Sequence, residues 1–233
     1  MKRLFYLFLA VSFTVFYSCG NITEKIESEV EKELDELTEG LGDKNDVEIN
    51  YLEDFTQFEN HDQIVEFYGE DNVEKTEVWL AEGTMSYWAS VVYPDSKHKV
   101  IVYWASEDCD EMESVENTYS TYNNDGELTE DGGLILPSET GLSLGSSLPD
   151  IEEANGAEFT FYGLSWDYGG TVVDLTAKFD DYILFVGWPD GDDATEWPDE
   201  YYNIIGDVEF SSQNKDALSL GLELVSITYV VNM

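Results

Sequence analysis

The residues able to do chemistry in this chain are few in kind and mostly acidic. Asp190-Gly191-Asp192-Asp193-Ala194-Thr195-Glu196 sets four carboxylates around a glycine, and hard, closely spaced oxygens of this type suit Ca2+. The segment lacks the alternating ligands and the twelfth-position Glu of an EF-hand, so a solvated acidic loop stays open beside a cation site at Asp190, Asp192, Asp193 and Glu196. His61 and His98 stand 37 positions apart, a poor start for zinc. Neither lies in a nucleophile pattern, and Gly145-Ser146-Ser147 lacks the G-x-S-x-G elbow. Paired carboxylates can hydrolyse glycosides, but among 51 acids some pair always stands close, so pairing singles out nothing. Cys109 lies among Glu107, Asp108, Asp110 and Glu111, whose charge raises a thiol pKa and opposes a reactive thiolate. No catalytic set emerges, and the expectation is a protein that is not an enzyme and needs no cofactor beyond a possible Ca2+.

Trp166-Asp167-Tyr168-Gly169-Gly170 is the most distinctive local sequence. Paired glycines after an aromatic permit a bulge or a close backbone approach. Trp166, Asp167 and Tyr168 either line a recognition surface, where Trp and Tyr are favoured, or the two aromatics are core residues beside that approach.

The elements that would position these groups begin after residue 18. Lys2 and Arg3, an apolar run from Leu4 to Tyr17 and then Ser18-Cys19-Gly20 have the layout of a secretory signal. The run is too short for a comfortable span, which needs roughly 20 residues. A cysteine at the cut resembles a bacterial lipoprotein signal, and that resemblance implies that Cys19 becomes the lipidated first residue. Gly20-Asn21-Ile22-Thr23 carries no acidic export tag, which favours the periplasmic face of the outer membrane over the cell surface.

Losing residues 1–18 removes two of ten basic residues and none of the 51 acids, taking the formal charge from −41 to −43. Nucleic acid is excluded as a partner, because it needs clustered Lys and Arg at the phosphates. Six Trp, 15 Tyr and 12 Phe supply enough apolar surface for a folded core. Carboxylates at this density repel one another in the compact state, and salt shortens the reach of that repulsion to ~3 Å at 1 M. Adaptation to a saline exterior and the binding of cations or a basic partner both fit such a surface. The melting temperature is expected to rise as NaCl is raised from low ionic strength to 1 M, and a flat one contradicts the screening argument.

Ile22, Ile26, Val30, Leu34, Leu37 and Leu41 recur at helical steps, predicting an amphipathic helix over 21–42. Residues 19–50 thus read as lipidated Cys, helix and linker, and 51–233 as the domain. Within it the pattern predicts a tandem αβββ duplication, about 60–105 and 148–190. Each copy has a short helix ending at a glycine, Gly69 or Gly156, and a last strand closing on Trp104 or Trp188. Pro94-Asp95 and Lys178-Phe-Asp-Asp181 occupy the turns. The link from Glu107 to Leu148 reads as acidic and turn-rich, with turns at Asn124-Asp125-Gly126 and Asp131-Gly132-Gly133. Val225, Ile227, Tyr229 and Val231 alternate with Leu224, Ser226 and Thr228 in a final strand, 222–231, of a sheet covered on one side. The fold class is α+β: a mostly antiparallel sheet with two or three short helices.

Asn155-Gly156, Phe159-Thr-Phe161-Tyr-Gly163 and Trp166-Asp167-Tyr168-Gly169-Gly170, with Gly206-Asp207 and Ser211-Ser212, resemble uncharacterised envelope lipoproteins of the Bacteroidetes type over about 60–231. Gly141 to Gly156 is similar, over about 140–175, to the start of SmpA/OmlA-type lipoproteins and to the repeats of β-lactamase inhibitor proteins. The resemblance implies a fold and an envelope location, and no activity. The leading expectation is a non-enzymatic, membrane-anchored envelope lipoprotein that binds a protein or other envelope component. A cell-surface carbohydrate-binding protein is the alternative, and a carboxylate-based hydrolase the second.

Overall fold

The computed structural model describes residues 47–80, 83–189 and 196–231. Cys19, the 21–42 segment and Asp190, Asp192 and Asp193 lie outside the described residues. From Glu48 onward the chain forms one unit of the expected α+β class. Among the described residues no helix is long and apolar enough to cross a membrane.

A 3-10 segment, Leu52–Gln57, opens the unit. Asp54 Oδ2 holds its first turn, accepting from the backbone N–H groups of Asn50 and Tyr51 at 2.8 Å each. Helix α1, His61–Tyr68, starts at Asn60, whose side chain accepts from the Gln63 N–H at 3.0 Å, and ends at Gly69 with φ +93°. Ser147 and Asp150 cap α2, Leu148–Asn155, reciprocally, and Gly156 ends it at φ +74°. These are the two helix stops expected of glycine. Two further single-turn helices, α3 (Asp199–Tyr202) and α4 (Lys215–Leu220), follow. They are too short to leave a periodic apolar stripe in the sequence.

Ten strands are described: β1 Val73–Leu80, β2 Met85–Val92, β3 Ser96–Trp104, β4 Met112–Tyr119, β5 Glu130–Gly133, β6 Thr160–Tyr162, β7 Val172–Val173, β8 Tyr182–Gly187, β9 Glu209–Ser211 and β10 Glu223–Val230. The large sheet runs β1-β2-β3-β4-β10-β8, with β5 beside β3, and a small sheet runs β7-β6-β9. All pairings are antiparallel except β3 with β5. Both predicted copies show a helix followed by three successive strands. In the second, β6 pairs β7, and Thr171 bridges to Phe185 of β8. The second set is much shorter.

Three local expectations are corrected. The acidic link contains β4, a central strand, because its buried positions include Asn117, whose partners lie far away in sequence. Asp131-Gly132-Gly133 is the end of β5 rather than a turn. A Cβ on Gly133 would lie 1.8 Å from the His98 carbonyl oxygen, so the glycine permits the contact with β3. Finally, β10 carries an irregularity between Leu224 and Ser226. Val225 packs over Gly187, where a Cβ would meet its methyl groups at 3.0 and 3.1 Å. The extra residue resets the alternation, so Leu224 and Ile227 are the buried pair.

The large sheet has two unlike faces. On one, α1 packs against β1 and β2, and the 3-10 segment against β4. Val92, Val100, Val102, Trp104, Val115, Leu184 and Ile227 are buried there, and burial of such side chains contributes roughly 1.5–3 kcal/mol each. Among the described residues, the other face carries no helix contact of this kind with these strands.

Candidate functional site

Residues opposite one another on neighbouring strands share a face, so the register lays out the open face in rows. Leu80 lies beside Met85, and Val78 beside Tyr87. Ala89, Tyr103, Ser114 and Val230 form the next row, and Val91, Ile101, Glu116, Thr228 and Ile183 the one after. Ser226 and Phe185 stand side by side beyond them. Ala89, Val91 and Tyr103 bury one another with Val78, Tyr87 and Ile101 as a small second core. The Tyr87 and Tyr103 rings meet edge to face at 6.0 Å and 79°. Around this patch Leu80, Met85 and Ile183 remain 38, 48 and 42 % exposed, apolar side chains that a soluble surface would rather cover. Together they line an open groove of about 540 Å3, within the size range of small-molecule and anchor-residue sites.

The polar groups of the groove are acids. Glu111, Glu113 and Glu116 line it, and no Lys or Arg does. Glu116 is positioned by two donors: the Tyr103 hydroxyl at 2.6 Å and Ser226 Oγ at 2.7 Å. Burial, and then the neighbouring Glu116 charge, push the Tyr103 phenol far above its ordinary value. It stays a donor throughout the physiological range. Lys99, the nearest strand cation, is buried and directs Nζ to the Tyr122 carbonyl at 3.4 Å. Burial lowers its pKa against the pull of Asp95, Glu74 and Glu116.

Trp166 and Tyr168 are 51 and 41 % exposed, so neither is core. Asp167 is exposed beside them. The expected close backbone approach is present: Gly170 has φ +82°, and a Cβ there would lie 2.0 Å from the Val186 carbonyl oxygen. The Val186 N–H donates to the Gly170 carbonyl at 2.8 Å, joining the small sheet to β8. The Tyr168 hydroxyl donates to Asp207 Oδ1 at 2.6 Å, and its ring stands at 77° to Tyr162. Trp166-Asp167-Tyr168 and Gly206-Asp207, separate in the sequence, thus meet. Nearby, Trp197 lies tilted at 50° to Tyr201. Neither ring pair makes a flat platform for a sugar face.

Glu196 is exposed, and its three expected partners in the cation loop lie outside the described residues. Among the described residues no group of three or more His, Cys, Asp or Glu could hold a metal ion. A second depression, about 510 Å3, gathers Glu53, Glu139, Asp181, Tyr182 and Tyr229. Buried Glu53 accepts from the Tyr182 hydroxyl and from the Glu139 N–H at 3.1 Å. It thereby ties the 3-10 segment to β8 and to the loop before α2. Lys178 Nζ braces the same region, donating to the Thr140 carbonyl at 2.8 Å. Cys109 is fully buried, and burial is the main force raising its thiol, with Asp108 and Asp110 adding to it and Lys75 opposing.

Sequence reasoning missed the hydrogen bond of His61 to Ser90: Nδ1 and Oγ stand 2.8 Å apart. Ser90 also accepts from Trp104 Nε1 at 2.9 Å, so one buried hydroxyl links the imidazole to the indole. Ser90 is fully buried and cannot meet a substrate, so the pair is structural. Burial, with Lys75 next, lowers the His61 pKa. A lowered folded value means that the stability tied to a neutral, buried His61 is present above the unfolded value of about 6.5 and is lost as pH falls through the folded one. The His61 ring protons are therefore expected to titrate by NMR with a midpoint below 6.5. A midpoint at or above it contradicts the assignment.

The open face itself left a signal. Tyr87 to Val92 and Val100 to Trp104 are apolar without alternation, which requires apolar side chains on both faces of the sheet. No family model matches the chain, and no curated protein or solved structure does either.

Proposed function

We propose that the chain is a non-enzymatic envelope protein, anchored to the bacterial outer membrane through lipid on Cys19, whose open sheet face receives a protein or other envelope component. The observation that carries this reading is the apolar groove on the sheet face that, among the described residues, no helix packs against. Its side chains suit desolvation by a partner. Its best-ordered carboxylate, Glu116, is bonded to the Tyr103 and Ser226 hydroxyls instead of being paired with a base and nucleophile. The resemblance of Ser18-Cys19-Gly20 to a lipoprotein signal supports the anchor.

A photo-crosslinking residue at Met85 or Ile183 in the anchored chain, in its native envelope, is expected to trap a partner, while the same group at Leu128 does not. Equal capture at all three positions overturns the assignment. Capture at Trp166 alone transfers it to the aromatic loop, whose exposed Trp166 and Tyr168 are what favours a carbohydrate-binding reading.

A further inference from the structure

Resting on that reading, we infer that the occupant of the groove is a basic amphipathic segment of a partner protein, apolar on one side and lysine- or arginine-bearing on the other. Two features of the groove are needed for this. Its apolar lining, Tyr87, Tyr103 and Phe185 with Leu80, Met85 and Ile183, offers aromatic and aliphatic contact without charge. Its lining adds Glu111, Glu113 and Glu116 with no cation among them, and two hydroxyls hold Glu116 in place. A carboxylate so fixed needs little reorganisation to meet a guanidinium or ammonium, and desolvated pairs of this kind gain most from fixed geometry.

The same charges select against the other occupants. A second copy related by a two-fold axis would bring a second set of these three acids, and no cation of the groove, into the same interface. An anionic lipid headgroup would meet the same repulsion. A bare hydrocarbon chain would strip water from the carboxylates and return no partner. The formal charge of −41 adds long-range attraction for a basic segment and speeds its encounter with the chain.

The test uses the purified full chain and fluorescein-labelled peptides of one length, read by anisotropy. The first places leucines on one side and lysines on the other. The second exchanges its lysines for glutamates, and the third exchanges its leucines for serines. The first is expected to bind at least tenfold more tightly than either control. Met85→Asp combined with Ile183→Asp, both at exposed positions, is expected to weaken it at least tenfold, and Glu111→Gln combined with Glu113→Gln severalfold. Circular dichroism melting of the variants shows that they remain folded. Equal binding of the lysine–serine peptide would mean attraction to the acidic surface alone, and equal binding of the glutamate–leucine peptide would mean an uncharged preference. Either result overturns the inference, as does a dimer in sedimentation that Met85→Asp dissociates, or displacement of the peptide by phosphatidylcholine vesicles. Failure of the peptide while Met85 still crosslinks a partner in the envelope would sink the basic occupant and leave the binding function standing. Failure of both would sink the binding function too.

Discussion

Gly170→Ala is expected to destabilise the protein by about 2–5 kcal/mol. The left-handed backbone at φ +82° costs a non-glycine residue about 1–2 kcal/mol. The new methyl would also lie 2.0 Å from the Val186 carbonyl oxygen, a backbone atom that cannot rotate away. Relief requires the loop to separate from β8, which sacrifices the Val186 N–H to Gly170 carbonyl bond and opens the packing where the two sheets join, a further 1–3 kcal/mol. Gly145→Ala is the matched control. Its φ is +84°, but nothing lies within 4 Å of the added Cβ, so only the backbone term of about 1–2 kcal/mol remains. Urea unfolding of the two variants measures the difference directly. Similar losses in both would show that the junction tolerates separation.

Asn117→Ala should cost a comparable amount, about 3–5 kcal/mol. Asn117 is fully buried in the middle of β4. Its Nδ2 donates to the Lys99 carbonyl at 3.0 Å and the Leu134 carbonyl at 2.8 Å, and its Oδ1 accepts from the Leu136 N–H at 2.9 Å. Alanine leaves these backbone groups without this partner, the bonds to Lys99 and Leu136 being buried, and each buried group so stranded costs about 1–3 kcal/mol. At roughly 2–4 °C per kcal/mol for a domain of this size, the melting temperature should fall by about 10 °C. A fall of a degree or two would mean that water replaces the side chain.

The same asparagine shows where sequence reading stopped. The α1 and α2 helices were legible because their ends are local: glycines at Gly69 and Gly156, and an apolar turn between cap and stop. The β2–β3 hairpin was legible from Pro94-Asp95 between two apolar runs. Strand β4 was not, because Met112-Glu-Ser-Val-Glu-Asn-Thr-Tyr119 presents an amide to the core, where a reader expects a hydrocarbon. That amide is acceptable only because the segment at Leu134–Leu136 returns to it. The groove was hidden for a related reason. Its residues come from six strands separated by up to 150 positions, from Leu80 to Val230, and only the register gathers them. The carboxylate that matters most in it, Glu116, is one of 51 and carries no local mark. Tyr103 and Ser226 distinguish it, and both are far from it along the chain.

Capture of the proposed envelope partner by paired surface variants tests the central claim most directly. Met85→Asp with Ile183→Asp alters only the open sheet face, and Leu128→Asp with Trp166→Ala alters exposed positions on a hairpin and the aromatic loop. The account predicts that the first pair reduces the partner's apparent affinity at least tenfold and that the second leaves it within twofold of the unmodified chain. The reverse pattern, with binding lost through Leu128 and Trp166 and kept through Met85 and Ile183, would contradict it.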